Sequence, residues 1–291
     1  MPILSIRHRT VYAYADEVDA SVNQARLRPR DLPGQRLLNF SLESDPGLEG
    51  YEEAEDCFGN PTSFFLLQRP HKTFTITASS RVDVSWAEAD APPPAPAWEE
   101  AVRRSQHAES DEARDALQFA LESPMVRTFP GLKEYAVRSF PAGRPLGEAA
   151  AHLMQRIHRD FRFRPGSTNP STALETVFQN RSGVCQDFSH LMIGGLRALG
   201  LPARYVSGYL ETLPPPGKPK LMGTDASHAW VSVYVPGGGW VDFDPTNEML
   251  PGPRHVTVAW GRDFSDVSPL RGVLYGGGTQ TLKVEVDVLR N

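Results

Sequence analysis

The periodicity of apolar side chains changes once along this chain, and that change restricts the fold more than any other feature. Phe74, Ile76, Ala78, Val82, Val84 and Trp86 all occupy even positions, with mostly polar residues between them. Period two is the mark of a half-buried strand. The segment APPPAPA, residues 91–97, then interrupts the chain as a Pro-rich linker. Beyond it, apolar residues recur at three- and four-residue spacing, as helices require. The pattern predicts a β domain over residues 1–90, a linker over 91–97 and a second domain over 98–291. Within the first, DCFGNP (Asp56–Pro61) reads as a turn.

The second domain reads as helices followed by strands. Residues 109–122 and 148–160 are predicted helices. Thr172 and Glu175 form a capping-box pattern opening a short helix that ends near Asn180. A further helix runs from Cys185 to Leu199, closed by Gly200 and Pro202. Strands follow over Arg204–Leu210, Ser227–Val235, Trp240–Asp244 and Thr281–Leu289, with an irregular loop at Leu213–Lys220. Segregated helices and strands imply an α+β domain.

Composition narrows the partners. A formal net charge of −5 supplies no global positive field for nucleic acid or an anionic membrane. No stretch approaches the roughly 20 apolar residues of a membrane span. The first apolar cluster is broken at once by Arg7, His8 and Arg9, unlike a secretory signal. The expectation is a soluble cytoplasmic protein. Its two cysteines are then free thiols rather than a disulfide framework.

Those thiols differ in setting. Cys57 lies in a turn, at no helix start, and reads as structurally neutral. Cys185 follows the polar turn Arg181-Ser182-Gly183 and opens a helix carrying Phe188, Leu191, Met192, Leu196 and Leu199. Unpaired N–H groups and the positive end of the helix dipole favour an anion there, and a thiolate is one. A buried structural cysteine fits this segment equally well.

A thiolate enzyme also needs a base within hydrogen-bond reach and a third group to orient it. In SHAWVSVYV, Ala229, Val231, Val233 and Val235 form one face, while His228, Trp230, Ser232 and Tyr234 form the other. An apolar face turned to the core leaves His228 free to line a cleft. In WVDFD, Asp242 and Asp244 share a face with Trp240. A Pro236-Gly237-Gly238 connection pairs Val235 with Gly239 and sets Trp230 opposite Asp244. Asp244 then lies diagonal to His228 on the same face. Asp242 sits nearer the turn and is the poorer partner.

GVCQDFSHLMIGGLRALGLPARYVSGYL, SHAWVSVYV and GWVDFDPTN together resemble the three core motifs of the transglutaminase-like superfamily. FRFRPGSTNPSTALETVFQNRSG and GRDFSDVSPLRG are similar to its bacterial branch. RHRTVYAY, RLRPR and CFGN resemble the β domain that often precedes the catalytic domain there. The resemblance implies a papain-like α+β core preceded by a smaller β-sandwich-like domain, with Cys185 as nucleophile, His228 as base and Asp244 as its orienting group. It implies thiol-dependent acyl transfer on peptide or protein amides through a thioester, with hydrolysis or transfer to an amine, and no cofactor or metal.

An oxyanion would need donors, with the Cys185 N–H and Gln186 as candidates. Trp230 and Tyr205 are candidate cleft residues, though either could simply pack. His190 reads as a packing histidine, Asp187 as a first-turn acid, and Arg262, Asp263 and Asp266 as a local ion-pair loop. Two other classes compete. Cys, His and Asp are also zinc ligands, but no C-x-x-C or H-E-x-x-H spacing occurs. A non-catalytic binding module on the same fold would be favoured by a missing member of the Cys-His-Asp set, and none is missing.

Overall fold

The structure is a computed structural model and describes residues 2–108, 110–212 and 227–291. The loop expected at Leu213–Lys220 lies outside the described residues. Five strands come first: β1 (Ile3–Ala25), β2 (Gln35–Asp45), β3 (Glu49–Glu55), β4 (Pro61–Leu67) and β5 (His71–Val84). The alternation read in the sequence ends as a strand at Val84, and Trp86 packs beyond it against the larger core.

Helices dominate the middle of the chain: α1 (Trp98–His107), α2 (Asp111–Leu117), α3 (Pro130–Val137) and α4 (Leu146–Asp160). The helix expected over 109–122 is shorter, because α2 tightens into a single 3-10 turn over Gln118–Ala120. β6 (Arg162–Phe163), α5 (Leu174–Asn180), β7 (Ser182–Gly183) and α6 (Cys185–Arg197) follow. The capping box expected at Thr172 is not formed. Thr172 Oγ1 instead accepts from the Asn169 N–H at 2.9 Å, closing the preceding turn, and α5 starts without a side-chain cap.

The remaining elements are β8 (Ala203–Leu210), β9 (Ser227–Val235), β10 (Gly239–Phe243), β11 (His255–Gly261), α7 (Phe264–Val267), β12 (Leu270–Gly276) and β13 (Gln280–Arg290). β8 to β11 form an antiparallel sheet in the order β10-β9-β8-β11. Helix α6 lies on one face of it, packing Phe188, Leu191, Met192 and Leu196 against Ala229, Val231, Val233 and Val235. Among the described residues no helix is long and apolar enough to cross a membrane.

The chain's end crosses the boundary expected at 91–97. β12 and β13 both pair antiparallel with β1, completing the first sheet rather than the second. A 23-residue strand has the length to do this: its first half runs between β5 and β13, its second between β4 and β12. Phe74, Ile76 and Ala78 of β5 share an apolar cluster with Phe65 and Leu67 of β4, strands of the same seven-stranded sheet rather than the two packed sheets of the β-sandwich-like domain expected. Leu4, Ile6, Val82, Val84, Val286 and Val288 instead join the core around α6. The segment 98–291 therefore does not hold its own last strands; backbone pairing with β1, joined in β13 by burial of Val286 and Val288, places them in the N-terminal sheet.

Two buried amides join the sheets. β11 is the edge of its sheet, so one side of its backbone lacks a strand partner. Gln35 supplies one at Thr257, donating to its carbonyl at 2.8 Å and accepting its N–H at 2.7 Å. Asn60 does the same at Trp260, at 2.8 and 2.9 Å. The DCFGNP turn exists to aim Asn60. Asp56 accepts from the Phe58 and Asn60 N–H groups, from the Asn60 amide and from Arg26. Arg30 donates to Asn60 at 2.7 Å and lies over the Trp260 ring at 3.5 Å. Asn60→Ala strands a buried donor and a buried acceptor on β11 and is expected to lower stability by about 3 kcal/mol. Urea unfolding of the variant against wild type measures it; a midpoint shift within error would show that the amide bridge contributes nothing.

Candidate active site

α6 starts at Cys185 because three local features converge there. β7 pairs with β6 and delivers Val184 in an extended conformation. Asp187 then reaches back, accepting from the Val184 N–H at 2.8 Å and from Thr168 Oγ1 at 2.7 Å. Gly183 is required by this turn, since a Cβ there would lie 2.6 Å from Asp187 Oδ2. Asp187 is thus a buried capping acid. Burial raises its pKa, with the Thr168 and Val184 hydrogen bonds opposing. The Cys185 thiol is partly exposed at the first turn, where its own N–H has no intrahelical acceptor.

The hairpin adopts the register expected from the sequence: Val235 opposes Gly239, and Asp242 opposes Ser232. Asp244 follows β10 on the same face as His228. His228 Nε2 lies 2.7 Å from Asp244 Oδ2. That contact leaves Nδ1 as the ring nitrogen not engaged by Asp244, and Cys185 lies near enough to raise the pKa of the imidazole. The structure therefore brings the three residues singled out in the sequence together, with His228 and Asp244 in direct hydrogen-bond contact.

Asp244 is fully buried and receives an unusual number of donors. Oδ1 accepts from the Thr246 and Asn247 N–H groups at 2.9 and 3.2 Å. Oδ2 faces His228, the Asn247 amide at 2.7 Å and His255 Nε2 at 3.2 Å. Burial would raise this carboxyl, but the His228 charge and hydrogen bond, then those of His255, outweigh it and hold the pKa far below the usual range. Burial likewise pushes His228 down; the Asp244 charge and hydrogen bond, then Cys185, reverse this and raise it to about 10. The pair is an ionised carboxylate and an imidazolium-stabilising pocket.

Sequence reasoning missed His255 and Asn247. The alternation Val256, Val258, Trp260 marks β11 as a strand and could have drawn attention to His255 at its start. Asn247 follows Asp244 by three residues in a DPTN turn, and its amide bonds back to that carboxylate.

The secondary candidates separate clearly. Trp230 is buried and donates Nε1–H to Asp242 Oδ2 at 3.0 Å, so Asp242 serves the indole and not His228. With Trp86, Trp240, Trp260, Arg204 and His255 it lines a cavity of about 660 Å³ behind the sheet, which neither Cys185 nor His228 lines. Gly208 makes room for this indole: a Cβ there would lie 2.6 Å from the ring and 2.1 Å from the Val256 carbonyl. Tyr205 is buried against His190 and Phe264; burial first, then the Cys185 charge, raises its pKa. Gln186 turns its amide to the Pro170 carbonyl at 3.3 Å. His190 packs, accepting the Phe264 N–H at 3.2 Å, with burial lowering its pKa to about 4. Arg262 and Asp266 form the expected ion pair, whereas Asp263 departs from it: its carboxylate is buried, caps α7 and accepts the distant Met125 N–H at 2.8 Å. Cys57 is exposed.

His228, Asp244 and His255 bring three metal-type ligand atoms within 4.8 Å. Their protons argue against a cation. The Gly252 N–H donates to His255 Nδ1 at 3.3 Å, so Nε2 carries the ring proton and points it at Asp244. A 2.7 Å separation between His228 Nε2 and the carboxylate is likewise that of a charge-assisted hydrogen bond. The group does not fit a metal in this arrangement, and Cys185 is not among its members.

The comparisons with known proteins agree with this architecture. Residues 4–83 match the bacterial transglutaminase-like N-terminal region, and residues 134–245 match the transglutaminase-like superfamily. An uncharacterised protein of Mycobacterium tuberculosis is 42% identical over 296 residues, covering 98% of this chain and 91% of that protein. The chain belongs to the bacterial transglutaminase-like family. This transglutaminase-like chain also superimposes on a crystal structure from Cytophaga hutchinsonii, described as a candidate cysteine protease, with a TM-score of 0.78, 23% identity and coverage of 99% and 90%. That likeness establishes the shared fold, a papain-like core with a β-rich N-terminal region. A protein-glutamine gamma-glutamyltransferase of Pseudomonas aeruginosa is 35% identical over 105 residues, which is 35% of this chain and 16% of that protein.

Proposed function

We propose that this transglutaminase-like chain is a thiol-dependent acyl-transfer enzyme acting on the amides of peptides or proteins, with Cys185 as nucleophile, His228 as acid and base, and Asp244 holding the imidazole. The observation that supports the reading is the pairing of His228: Nε2 is committed to Asp244 at 2.7 Å, Nδ1 is the ring nitrogen left for a second partner, and Cys185 is near enough to raise the pKa of the imidazole. Nδ1 takes the Cys185 proton, and the thiolate attacks the amide carbonyl carbon. The Cys185 N–H, unpaired at the first helical turn, is placed to donate to the developing oxyanion. His228 returns the proton to the departing amine as the C–N bond breaks, leaving a thioester. Water or a second amine then attacks that thioester while His228 accepts its proton, releasing an acid or a new amide. Gln186 remains a candidate second oxyanion donor once its contact to Pro170 is exchanged for substrate.

The test is a turnover screen of wild type and Cys185→Ala on peptide amides, glutamine-containing peptides and γ-glutamyl bonds, with and without a primary amine. The expected result is turnover or thioester formation in wild type and none in Cys185→Ala. Product that incorporates the amine assigns transfer, the activity named for the Pseudomonas relative; free acid alone assigns hydrolysis. Equal turnover in the two proteins would refute the reading.

A further inference from the structure

We propose that His255 is a positioning residue that holds Asp244 aimed at His228, so that the site works through a His-Asp-His relay in which only one histidine meets the thiol. The inference rests on the reading of Cys185 as nucleophile. Three features of the structure support it. His255 is buried at the start of β11, and its Nδ1 accepts the Gly252 N–H at 3.3 Å. That fixes the ring as the Nε2–H form, the only neutral form able to donate to Asp244 Oδ2, which lies at 3.2 Å. The second feature is geometry. Both imidazoles converge on one carboxylate oxygen from neighbouring directions, with ring centroids 6.1 Å apart. Trp230 packs edge-on against His255 at 5.3 Å, which restrains that ring. The third is division of labour. Oδ1 is occupied by two backbone N–H groups, so Oδ2 alone serves His228; it is shared by the Asn247 amide, three residues along in the same turn, and by His255, the one donor that reaches it from another strand.

The charged groups facing His255 are Asp244, His228 and Asp242. Burial lowers the pKa of His255, with Asp244 opposing, so the ring is a neutral donor beside a charged neighbour. A neutral donor stabilises the carboxylate without competing for the role of imidazolium. This distinguishes the two histidines: His228 exchanges a proton with Cys185, and His255 keeps its own.

The test uses the full chain in a Cys57→Ser background, so that iodoacetamide reports on Cys185 alone, with the alkylation rate followed from pH 4 to 9. Removing one donor frees the carboxylate to turn away from His228 and weakens its hold on the imidazolium. Asp244 stays ionised throughout this range, so the acid limb follows the thiolate–imidazolium pair of Cys185 and His228; a carboxylate held less firmly supports that imidazolium less, and His255→Leu is expected to move the limb to higher pH by about one unit, with a rate on the limb about tenfold below wild type. On the plateau above the limb its rate stays within about twofold of wild type, because the reacting thiolate is then formed in both. His255→Gln, whose amide N–H can still reach Asp244, is expected to follow the wild-type profile within about threefold. The thermal midpoints of both variants identify any general loss of structure, which would lower the rate at every pH rather than shift the limb. A His255→Leu profile that overlays wild type, or a His255→Gln profile shifted as far as Leu, overturns the relay while leaving Cys185 as nucleophile. If Cys185 in wild type reacts no faster than Cys57 in a Cys185→Ala protein, the nucleophile reading fails and the relay fails with it.

Discussion

Asp244→Ala is expected to lower turnover by about four orders of magnitude and unfolding free energy by about 3–5 kcal/mol. The two losses have separate origins. The kinetic loss follows from His228: without a carboxylate at 2.7 Å, Nε2 has no anchor, and the ring can present the wrong nitrogen to Cys185. The stability loss follows from burial. The carboxylate is fully inaccessible and receives hydrogen bonds from Thr246, both Asn247 nitrogens and His255 as well as His228. Alanine leaves those donors facing a void with no acceptor, and unpaired buried donors carry their full desolvation cost. Asp244→Asn separates the effects. Its oxygen can serve some donors, so part of the stability returns, but its amide nitrogen meets N–H groups and the neutral side chain cannot stabilise an imidazolium. Urea unfolding together with turnover on the best substrate of the screen measures both. An Asp244→Ala protein with near wild-type turnover would remove Asp244 from the mechanism, whatever its stability.

The second large effect is on the pH dependence of stability. His228 is raised to about 10 in the folded chain from an ordinary 6.5. A group whose folded pKa lies above its unfolded value stabilises fully below the unfolded value, and that contribution disappears as pH rises through the folded value. The window therefore runs from pH 6.5 up to about 10, on the alkaline side. Between pH 7 and pH 10 the wild type is expected to lose on the order of 3 kcal/mol more than His228→Gln, which has no imidazole to titrate. Denaturant unfolding of both proteins at the two pH values gives the difference directly. Parallel losses would mean that His228 is not held as an imidazolium by Asp244.

Much of this site was legible in the chain itself, for reasons that are local. The helix beginning at Cys185 follows from a polar Gly-containing turn before an apolar repeat, and α6 starts at that residue. The hairpin register follows from side-chain alternation and a short Pro-Gly-Gly connection, and antiparallel pairing places Val235 opposite Gly239 as that connection requires. What escaped was settled by partners distant in sequence. Thr172 has the residue type of a cap, yet a nearer backbone N–H at Asn169 claims its hydroxyl. The Pro-rich segment marks a real break between strands and helices, but it could not show that β12 and β13 return to β1. Asp263 looks like one member of an ion-pair loop until the Met125 N–H, far away in the chain, is placed against it.

The sequence by itself determined which face of each strand and helix is apolar, because that depends only on residue type and the period of the element. It therefore determined that Cys185 opens a helix and that His228 and Asp244 share a face. Only the tertiary structure decided what stands behind Asp244. His255 arrives from a strand on the far side of the sheet order, and its ring is set by the Gly252 N–H and the Trp230 indole. Gln35 and Asn60 in turn hold that strand from the N-terminal unit. Such contacts depend on how elements pack, and no local period records them.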